Sequence, residues 1–434
     1  MRRVLLDVRP LRESVDFRRL TAGSVLSQVG GQMTTYAVAL QVWTLTGSSA
    51  AVGGVGLAAA VPSIVVGLLG GPVVDAVDRR RLVLVTSALA AAVSGAFAAQ
   101  AFAGMRSVWL LYGLVAAQYG LSSLTGPARR TFVPRLLPPP LIPAATAITM
   151  LTMHLGMVAG PSLAGLVTAA GGLRLCYLLD ALSFAGALYA VLRLPPMPPR
   201  GTPARIGPRA LLEGLGFLRR SRVVLGALLT DLCATGLAMP FALFPAINAE
   251  RFGGSPTTLG LMTSAIAAGG ILGTTLSGPV SHVARPGRAM LGCVVVWSLA
   301  LAGFGVVDGA APTFGLLVVA GIADVLSVVF RSTVIQTATP DRVLGRVAAA
   351  EFVVGAGAPQ VGNFRAGVLA SATTPGTSAV IGGVSSLAGA ALIALALPAL
   401  ARYRLPGTAE PVSPEPGPPP APGPSDGHAA SAPA

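Results

Sequence analysis

Long apolar runs, separated by short polar loops, make up most of the chain. A helix that spans a bilayer needs about 20 largely apolar residues, and twelve runs of that length can be recognised. They lie at about residues 20–45, 51–74, 82–103, 107–127, 141–169, 173–194, 223–247, 257–281, 289–308, 313–337, 346–370 and 377–401. The pattern predicts an all-α membrane protein with twelve transmembrane helices.

The composition supports this prediction and narrows the choice of partners. Apolar residues make up 53% of the chain, charged residues only 11%, and the mean hydropathy is +0.73, whereas soluble domains are about 25% charged. The net charge of +14 could indicate nucleic-acid binding. The arginines, however, form short clusters between apolar runs, without the motifs of nucleic-acid-binding proteins. We therefore expect the lipid bilayer, and no nucleic acid, as a partner.

The sequence carries no motif for enzymatic chemistry. It has no Gly-rich phosphate loop followed by Lys, which ATP-driven pumping would require. The three histidines and three cysteines show neither the spacing of metal ligands nor a catalytic arrangement. We predict no enzymatic activity, no metal and no cofactor.

Two breaks in the apolar pattern predict the domain boundaries. Residues 195–222 are rich in Pro and Arg and separate a first bundle, residues 1–194, from a second, residues 223–404. The second part of this cytoplasmic linker, residues 210–222, could form a short helix on the membrane surface. Residues 405–434 consist mainly of Pro, Gly, Ala and Ser, a composition typical of a disordered tail.

The two halves of the chain repeat one another. Gly53 and Gly71 bracket the second apolar run, and Gly260 and Gly278 bracket the eighth, at a constant offset of 207 residues (260 − 53 and 278 − 71). Each closing glycine is followed by Pro and Val. Internal repeats are typical of secondary transporters, so we predict two repeats of six helices.

The placement of arginines predicts the orientation in the membrane. With twelve spans, nearly all arginines in loops fall on the side of the two termini, and only Arg106, Arg174 and Arg251 fall on the other side. Short loops rich in arginine stay in the cytoplasm. Both termini are therefore predicted to be cytoplasmic.

The loop between the second and third runs combines glycines, an acid and a basic cluster. Its characteristic residues are Gly71, Asp75, Arg79, Arg80 and Arg81. This pattern resembles the loop signature of the major facilitator superfamily of transporters, although Ala76 and Asp78 stand where that family usually has Arg and Gly. The resemblance implies the major facilitator fold and a gating role for this loop.

A second motif lies in the fifth run. Gly156, Gly160, Pro161 and Gly165 resemble the antiporter signature of the same superfamily, with Ala164 replacing one of its glycines. Small residues four apart let helices approach closely, and a proline can bend a helix. Together with residues 17–20, 126–129 and 341–347, this motif makes the chain similar to the branch of enterobactin and macrolide exporters. Because the chain has 54 Gly, the alternative is that the motif serves helix packing alone.

Polar residues inside the apolar runs are costly in lipid and are often functional. The resemblance implies that the first, fourth, seventh and tenth helices line a central cavity. Polar residues of these helices are Gln28, Gln32, Tyr36, Gln118, Asp231, Asp324 and Arg331. Further polar residues within apolar runs are His154, Glu351, Asn363 and Arg365. A pairing contact between helices explains their presence as well as a transport role does.

Asp324 is the first candidate for proton coupling, and Asp231 is the second. Asp324 falls near the middle of the tenth helix, where loss of solvation favours the protonated form of a carboxyl group. Arg331 lies two turns away on the same face, so a permanent structural pair with Arg331, or with Arg365, is the alternative.

These observations favour a secondary active transporter in the bacterial cell membrane. The sparse polar lining and the resemblance predict a monomeric antiporter that exports a hydrophobic or amphipathic small molecule, of the antibiotic or siderophore class, in exchange for protons by alternating access. The alternatives are a proton-coupled importer and a membrane sensor or scaffold of the same fold that does not transport.

Overall fold

The computed structural model describes residues 7–70, 76–198, 216–278 and 283–405, and these residues form helices and connecting turns without any strand. The long helices, labelled in chain order, are α1 Val15–Thr46, α2 Ser49–Leu69, α3 Arg79–Phe102, α4 Val108–Arg130, α5 Ile142–Gly171, α6 Leu173–Leu192, α7 Arg222–Phe252, α8 Pro256–Thr275, α9 Pro286–Val306, α10 Ala310–Ala338, α11 Asp341–Ala372 and α12 Pro375–Ala396. Short helices at Arg9–Glu13, Val133–Leu136 and Pro398–Arg402 accompany them. Residues 216–220, in the second part of the predicted linker, are also helical.

Within the described ranges, nine of these helices are long and apolar enough to cross a membrane. The other three, α1, α4 and α11, contain Gln28, Gln118 and Glu351 among their polar residues. They pack against apolar helices, α1 on α5 and α6, α4 on α2 and α3, and α11 on α2 and α7, so the all-α membrane architecture predicted from the sequence is confirmed. The predicted bundle boundaries at residues 194 and 223 stay predictions, because residues 199–215 lie outside the described ranges.

Helix α7 differs from the single continuous span predicted for it. Its regular helix ends at Ala238, a 3-10 turn follows at Phe241–Leu243, and a second helical segment runs over Phe244–Phe252. Pro240 lies in the break and Pro245 lies at the start of the second segment. Since a proline lacks an N–H and clashes with the preceding turn, these two residues account for the interruption.

Glycines allow helices of the two halves to approach one another closely. Helix α2 packs on α11, and α5 packs on α8. A Cβ atom on Gly53 would lie 2.7 Å from the Phe364 Cα, and one on Gly165 would lie 2.7 Å from the Pro256 carbonyl oxygen. Backbone contact of this kind is possible only with small residues at the interface.

The two ends of the molecule are packed differently. At the end where α1 finishes and α2 begins, here called the opposite end, one hydrophobic cluster spans both halves and includes Tyr36 of α1 and Leu259 of α8. At the terminus-bearing end, where α1 begins and α12 finishes, separate clusters belong to each half; Leu20 lies in one and Leu400 in another. The halves are therefore joined more closely at the opposite end.

Candidate functional site

A central cavity of about 480 Å³ lies between the two halves. Its size is that of pockets that bind small molecules. Residues of α1, α2, α4, α5 and α7 to α11 line it, and most of them are apolar or aromatic, such as Phe241, Phe244 and Trp297. Polar residues, among them Gln32, Tyr36 and Asp324, form a minority of the lining.

A second cavity of about 350 Å³, here called the side cavity, lies within the N-terminal half. It is lined chiefly by α1, α3 and α4 and is richer in hydroxyl and amide groups than the central cavity. Its polar lining residues include Gln28, Gln118, Ser122, Thr125 and Arg129. Gln32, Thr35 and Tyr119 border both cavities.

The predicted cavity-lining residues thus divide between two spaces, and one of them lies elsewhere. Gln28 and Gln118 face the side cavity, Gln32 borders both cavities, and Tyr36 faces the central one. Arg331 lines neither of these two cavities. It is held away from them by two carboxylates on other helices.

Asp231, Arg331 and Glu351 form an ion cluster that joins α7, α10 and α11. The Arg331 guanidinium binds the Asp231 carboxylate, and its Nε lies 3.4 Å from the Glu351 Oε1. The Arg331 and Asp231 side chains are 11% and 10% exposed. A single arginine therefore faces two carboxylates in a largely buried site, and the cluster has one carboxylate more than it has cations.

Asp324 does not form the pair with Arg331 that was considered as an alternative from the sequence. Its side chain lines the central cavity and makes neither a hydrogen bond nor an ion pair with the residues that the structure describes. Arg365, the other candidate partner, instead donates to the Leu237 carbonyl oxygen. Asp324 lacks the pair with Arg331 because Arg331 already binds acids from α7 and α11.

The antiporter-like motif of α5 lies between two neighbouring helices. Gly156 and Gly160 face α1, where added Cβ atoms would meet the side chains of Gln28 and Gln32. The backbone oxygen of Pro161 faces Gly260 of α8. The motif's small residues therefore allow α5 to contact a helix of its own half and a helix of the other half.

The same region contains a direct polar link between the halves. Ser162 of α5 donates a hydrogen bond to Ser264 of α8, with an Oγ–Oγ distance of 2.7 Å, and Ser264 in turn donates to the Val158 carbonyl oxygen. Tyr36 Oη donates to the Pro256 carbonyl oxygen at 2.7 Å. These bonds connect α5 and α1 to α8 towards the opposite end.

The predicted gating loop is described only at its C-terminal end. Gly71 and Asp75 lie outside the described residues, while Arg79, Arg80 and Arg81 form the first turn of α3. Arg80 donates to the carbonyl oxygens of residues 191 and 192 at the end of α6, at 3.3 and 2.7 Å. The arginines therefore begin a helix that is tied to the end of α6.

Asp78, which departs from the family's loop pattern, has a clear structural role. Its Oδ1 accepts from the Arg81 N–H at 2.9 Å and caps α3, and its Oδ2 accepts from the Met197 N–H at 2.8 Å. Aspartate is among the residues preferred at a helix N-terminus. The acid thereby fixes the segment after α6 to the start of α3.

Asp180 of α6 is a buried acid that the sequence analysis did not single out. It is fully buried, and its Oδ2 accepts hydrogen bonds from the hydroxyl groups of Thr34 and Ser94, both at 2.7 Å. No cation among the described residues pairs with it. The signal in the sequence was an acid within the sixth apolar run. It was missed because the resemblance implied a cavity lined by the first, fourth, seventh and tenth helices.

The helical architecture and the cavity between two halves define a membrane transporter fold. Residues 7–415 match the transmembrane secretion effector family, and the chain belongs to this family of the major facilitator superfamily. The protein is therefore a multi-pass membrane protein, as predicted.

Individual relatives agree with this assignment. The chain is 29% identical over 401 residues to the enterobactin exporter EntS of Escherichia coli (strain SE11) and to that of Escherichia fergusonii, a match that covers 92% of this chain and 96% of each relative. Among solved structures, the nucleoside transporter NupG is similar with a TM-score of 0.68, at 15% identity over 90% of this chain and 100% of that one. A bacterial homologue of the iron transporter ferroportin in an inward-facing state gives a TM-score of 0.61, at 16% identity over 90% and 99%. The structural neighbours support the major facilitator fold.

Proposed function

We propose that this protein exports a hydrophobic or amphipathic small molecule from the bacterial cytoplasm in exchange for protons, with Asp324 as the proton-coupling residue. The observation that carries the proposal is an acid in the cavity between the halves that has no hydrogen-bond or ion-pair partner among the described residues. Such a cavity suits transport by alternating access, because opening and closing the halves exposes it to one side of the membrane at a time.

The packing of the two ends supports loading from the cytoplasm. If the arginine-rich loops lie inside the cell, the terminus-bearing end is cytoplasmic, and the closely joined opposite end faces outward. The central cavity is then closed toward the outside by contacts such as that between Tyr36 and Pro256. A transporter in this arrangement receives its cargo from the cytoplasm.

Asp324 is better suited to proton coupling than Asp231. Asp231 is held by Arg331, so changing its charge would leave the arginine with Glu351 alone. Asp324 can gain or lose a proton without breaking an ion pair in the described state. A charged group in an apolar wall opposes closure of the helices around it. A proton taken up from the outside would therefore allow the empty cavity to close there and to reopen to the cytoplasm, where the proton leaves and cargo binds.

The cavity lining and the relatives support the choice of cargo. Aromatic and aliphatic residues form most of the wall of the central cavity, which suits an amphipathic molecule. The relatives named above are enterobactin exporters, which favours the siderophore class. One chain supplies both halves of the cavity, so we propose that a monomer is sufficient.

Transport into inside-out proteoliposomes tests the coupling. The cargoes are enterobactin and, separately, erythromycin, and an imposed pH gradient, acidic inside, is the driving force. Wild-type protein should accumulate one of them, whereas Asp324→Asn should lose gradient-driven accumulation and keep exchange of labelled for unlabelled cargo.

A matched control and two contrary outcomes complete this test. Asp308→Asn changes an exposed acid in the loop before α10 and should behave as wild type. Full gradient-driven accumulation by Asp324→Asn would exclude Asp324 and leave Asp231 as the candidate. Failure of wild-type protein to accumulate either cargo, combined with proton-driven movement of one of them in the reverse direction, would favour an importer.

The orientation has an independent test. In a variant without the three native cysteines, Ser48→Cys should react in intact cells with a thiol reagent that cannot cross the membrane, and Ser221→Cys should not. The opposite pattern of labelling would reverse the orientation and the direction of loading.

A further inference from the structure

The side cavity contains an arginine that has no acidic partner among the described residues. Arg129 lies near the end of α4 and is half-buried. Its only described side-chain hydrogen bond joins Nη2 to the Ser87 Oγ at 3.4 Å, which is long. Its Nε is buried and makes no hydrogen bond with the described residues. A buried guanidinium that lacks acceptors is unfavourable.

A second polar group in the same cavity lacks a partner. The Oε1 atom of Gln118, three helical turns from Arg129 on α4, is buried and accepts no hydrogen bond from the described residues. Hydroxyl groups of Ser122 and Thr125 also line the cavity, but they donate to backbone carbonyl oxygens of their own helix. The cavity thus has room for a ligand and contains a cation that lacks a counter-charge among the described residues.

We propose that Arg129 binds a carboxylate or a similar anionic group of the transported molecule inside the side cavity. This inference rests on the proposed function, because it specifies the chemical class of the cargo. An arginine can bind a carboxylate through two parallel hydrogen bonds, and such charge-assisted bonds are stronger than neutral ones. The Nε atom of Arg129 makes no hydrogen bond with the described residues, and the Nη2 atom on the same edge of the guanidinium makes only the long bond to Ser87, so this edge can bind a carboxylate.

The two cavities together suit an amphipathic acid. Tyr119 borders both cavities, and ten residues of α4 separate it from Arg129, a distance of about 15 Å along the helix axis. A molecule of that length can place its apolar body in the central cavity and its acidic group beside Arg129. The position of Arg129 near the terminus-bearing end also allows it to meet the cargo early during entry from the cytoplasm.

The neighbouring arginine provides a matched control. Arg130 follows Arg129 directly but is exposed and does not line the side cavity. Both residues contribute one positive charge to the same end of α4, so their effects on membrane orientation are equivalent. Only Arg129 is positioned to bind a ligand in the cavity.

The test measures binding to purified protein in detergent, without a pH gradient. The probes are 4-fluorosalicylate and the neutral 4-fluorosalicylamide, which differ in charge at one substituent and are small enough for the side cavity. Fluorine NMR of the probes detects weak binding. Wild-type protein and Arg130→Gln should bind the acid at least about tenfold more tightly than the amide. The reason is that a hydrogen bond to a charged group raises affinity by about that factor or more.

Arg129→Gln should lose this preference, while its binding of the amide stays unchanged. Arg129→Lys should keep part of the preference, because it retains the charge and loses the planar pair of donors. If Arg129→Gln does not fold, Ser122→Trp serves instead, since it fills the cavity and leaves Arg129 in place. It should abolish binding of the acid.

Three results would overturn the proposal. They are equal binding of acid and amide by the wild type, no saturable binding of the acid up to its solubility limit, and an unchanged preference in Arg129→Gln or, where that variant does not fold, in Ser122→Trp. Because no transport is measured, failure of this site is distinguishable from failure of the proposed function. If the protein exports cargo but does not prefer the acid, only the proposed Arg129 subsite is wrong. If it binds the acid but does not transport, only the proposed export mechanism is wrong.

Discussion

The N-terminal and C-terminal halves each bury a carboxylate but surround it in different ways. In the N-terminal half, Asp180 accepts two hydrogen bonds from hydroxyl groups, at 2.7 Å each, and has no described cation beside it. In the C-terminal half, Asp231 is bound by Arg331, which also lies beside Glu351. One half therefore holds one oxygen of its acid with neutral donors, while the Oδ1 atom of Asp180 accepts no hydrogen bond from the described residues. The other half holds its acid with a shared counter-charge.

This difference has consequences for how each half depends on its charges. Thr34 and Ser94 bring α1 and α3 to Asp180 on α6, and their hydroxyl groups can bond to a carboxyl group in either protonation state. The ion cluster, in contrast, sets two acids against one arginine, so the loss of Arg331 leaves two buried negative charges without a counter-charge, whereas the loss of either acid leaves one ion pair. We therefore expect α1, α3 and α6 to form the less charge-sensitive support, and α7, α10 and α11 to respond to changes in charge.

Removal of the shared cation should have the largest effect. Arg331→Gln leaves Asp231 and Glu351 close together without a counter-charge, and removing one partner of a buried pair costs about 3–5 kcal/mol. We expect a severe loss of folded protein, measured as the yield of monodisperse protein in detergent and as the midpoint of thermal unfolding. Arg288→Gln, which makes the same change at an exposed arginine, should match the wild type.

A double variant makes this test sharper. Adding Asp231→Asn to Arg331→Gln removes one of the uncompensated charges, so it should recover part of the lost stability. Wild-type stability of Arg331→Gln would mean that the cluster does not hold the helices together. The two halves would then not differ in how strongly their stability depends on charge.

Substitution of Asp180 should have the next largest effect and should depend on which residue replaces it. Asp180→Ala leaves the hydroxyl groups of Thr34 and Ser94 without their acceptor and opens a small void, which together cost about 2–3 kcal/mol. Asp180→Asn keeps a carbonyl acceptor in nearly the same volume and should cost less than about 1 kcal/mol. Unfolding by SDS titration measures both free energies.

The comparison of the two Asp180 variants separates shape from charge. If Asp180→Asn is as damaging as Asp180→Ala, the negative charge itself is required, and the N-terminal half is as charge-sensitive as the C-terminal half. Asp308→Asn, at an exposed loop position, controls for the change of one acid into an amide.

The sequence predicted the fold well, because membrane spans are defined by hydropathy along the chain. The twelve apolar runs correspond to α1–α12, although α1 begins at Val15 rather than near residue 20. The break in α7 was not predicted, because its prolines lie within an apolar run whose hydropathy does not change. Its position depends on local backbone geometry, which the two prolines could have indicated.

The candidate site was less predictable, because its pairs form between helices. The spacing of Asp324 and Arg331 by two turns suggested a pair on one helix face. Arg331 instead binds acids from α7 and α11, and this choice depends on how the helices rotate and pack. Asp180 was missed because its partners, two hydroxyl groups on other helices, carry no charge that would mark them in the sequence.

Within the ion cluster, Glu351 should contribute less than Arg331. Its side chain is 27% exposed and lies 3.4 Å from the Arg331 Nε, and Glu351→Gln leaves the bond to Asp231 in place. The contact is an ion pair without a hydrogen bond to Nε and is partly open to solvent. We therefore expect a loss of at most about 1 kcal/mol, in the same SDS titration. The control is Glu250→Gln, at an exposed position of α7. A loss as large as that of Arg331→Gln would show that the three residues act as one unit.

The smallest predicted effect concerns the link between the halves rather than either half alone. Tyr36 Oη donates to the Pro256 carbonyl oxygen at 2.7 Å and connects α1 to the start of α8. Tyr36→Phe removes this bond, and an interhelical hydrogen bond in a membrane contributes about 0.6 kcal/mol on average. The equilibrium between the state closed at the opposite end and the state open there should therefore shift about threefold toward opening.

Distances between spin labels at the opposite end measure this shift. One label replaces Thr44 in the N-terminal half and the other replaces Glu250 in the C-terminal half, both at exposed positions. The control is Tyr112→Phe, which removes a bond of the same type, from Tyr112 Oη to the Ala51 carbonyl oxygen at 2.6 Å, inside the N-terminal half. It should leave the distance distribution unchanged, because that bond is present whichever way the halves are arranged. An equal shift in both phenylalanine variants would show that the opening responds to packing within a half and not to the contact between the halves.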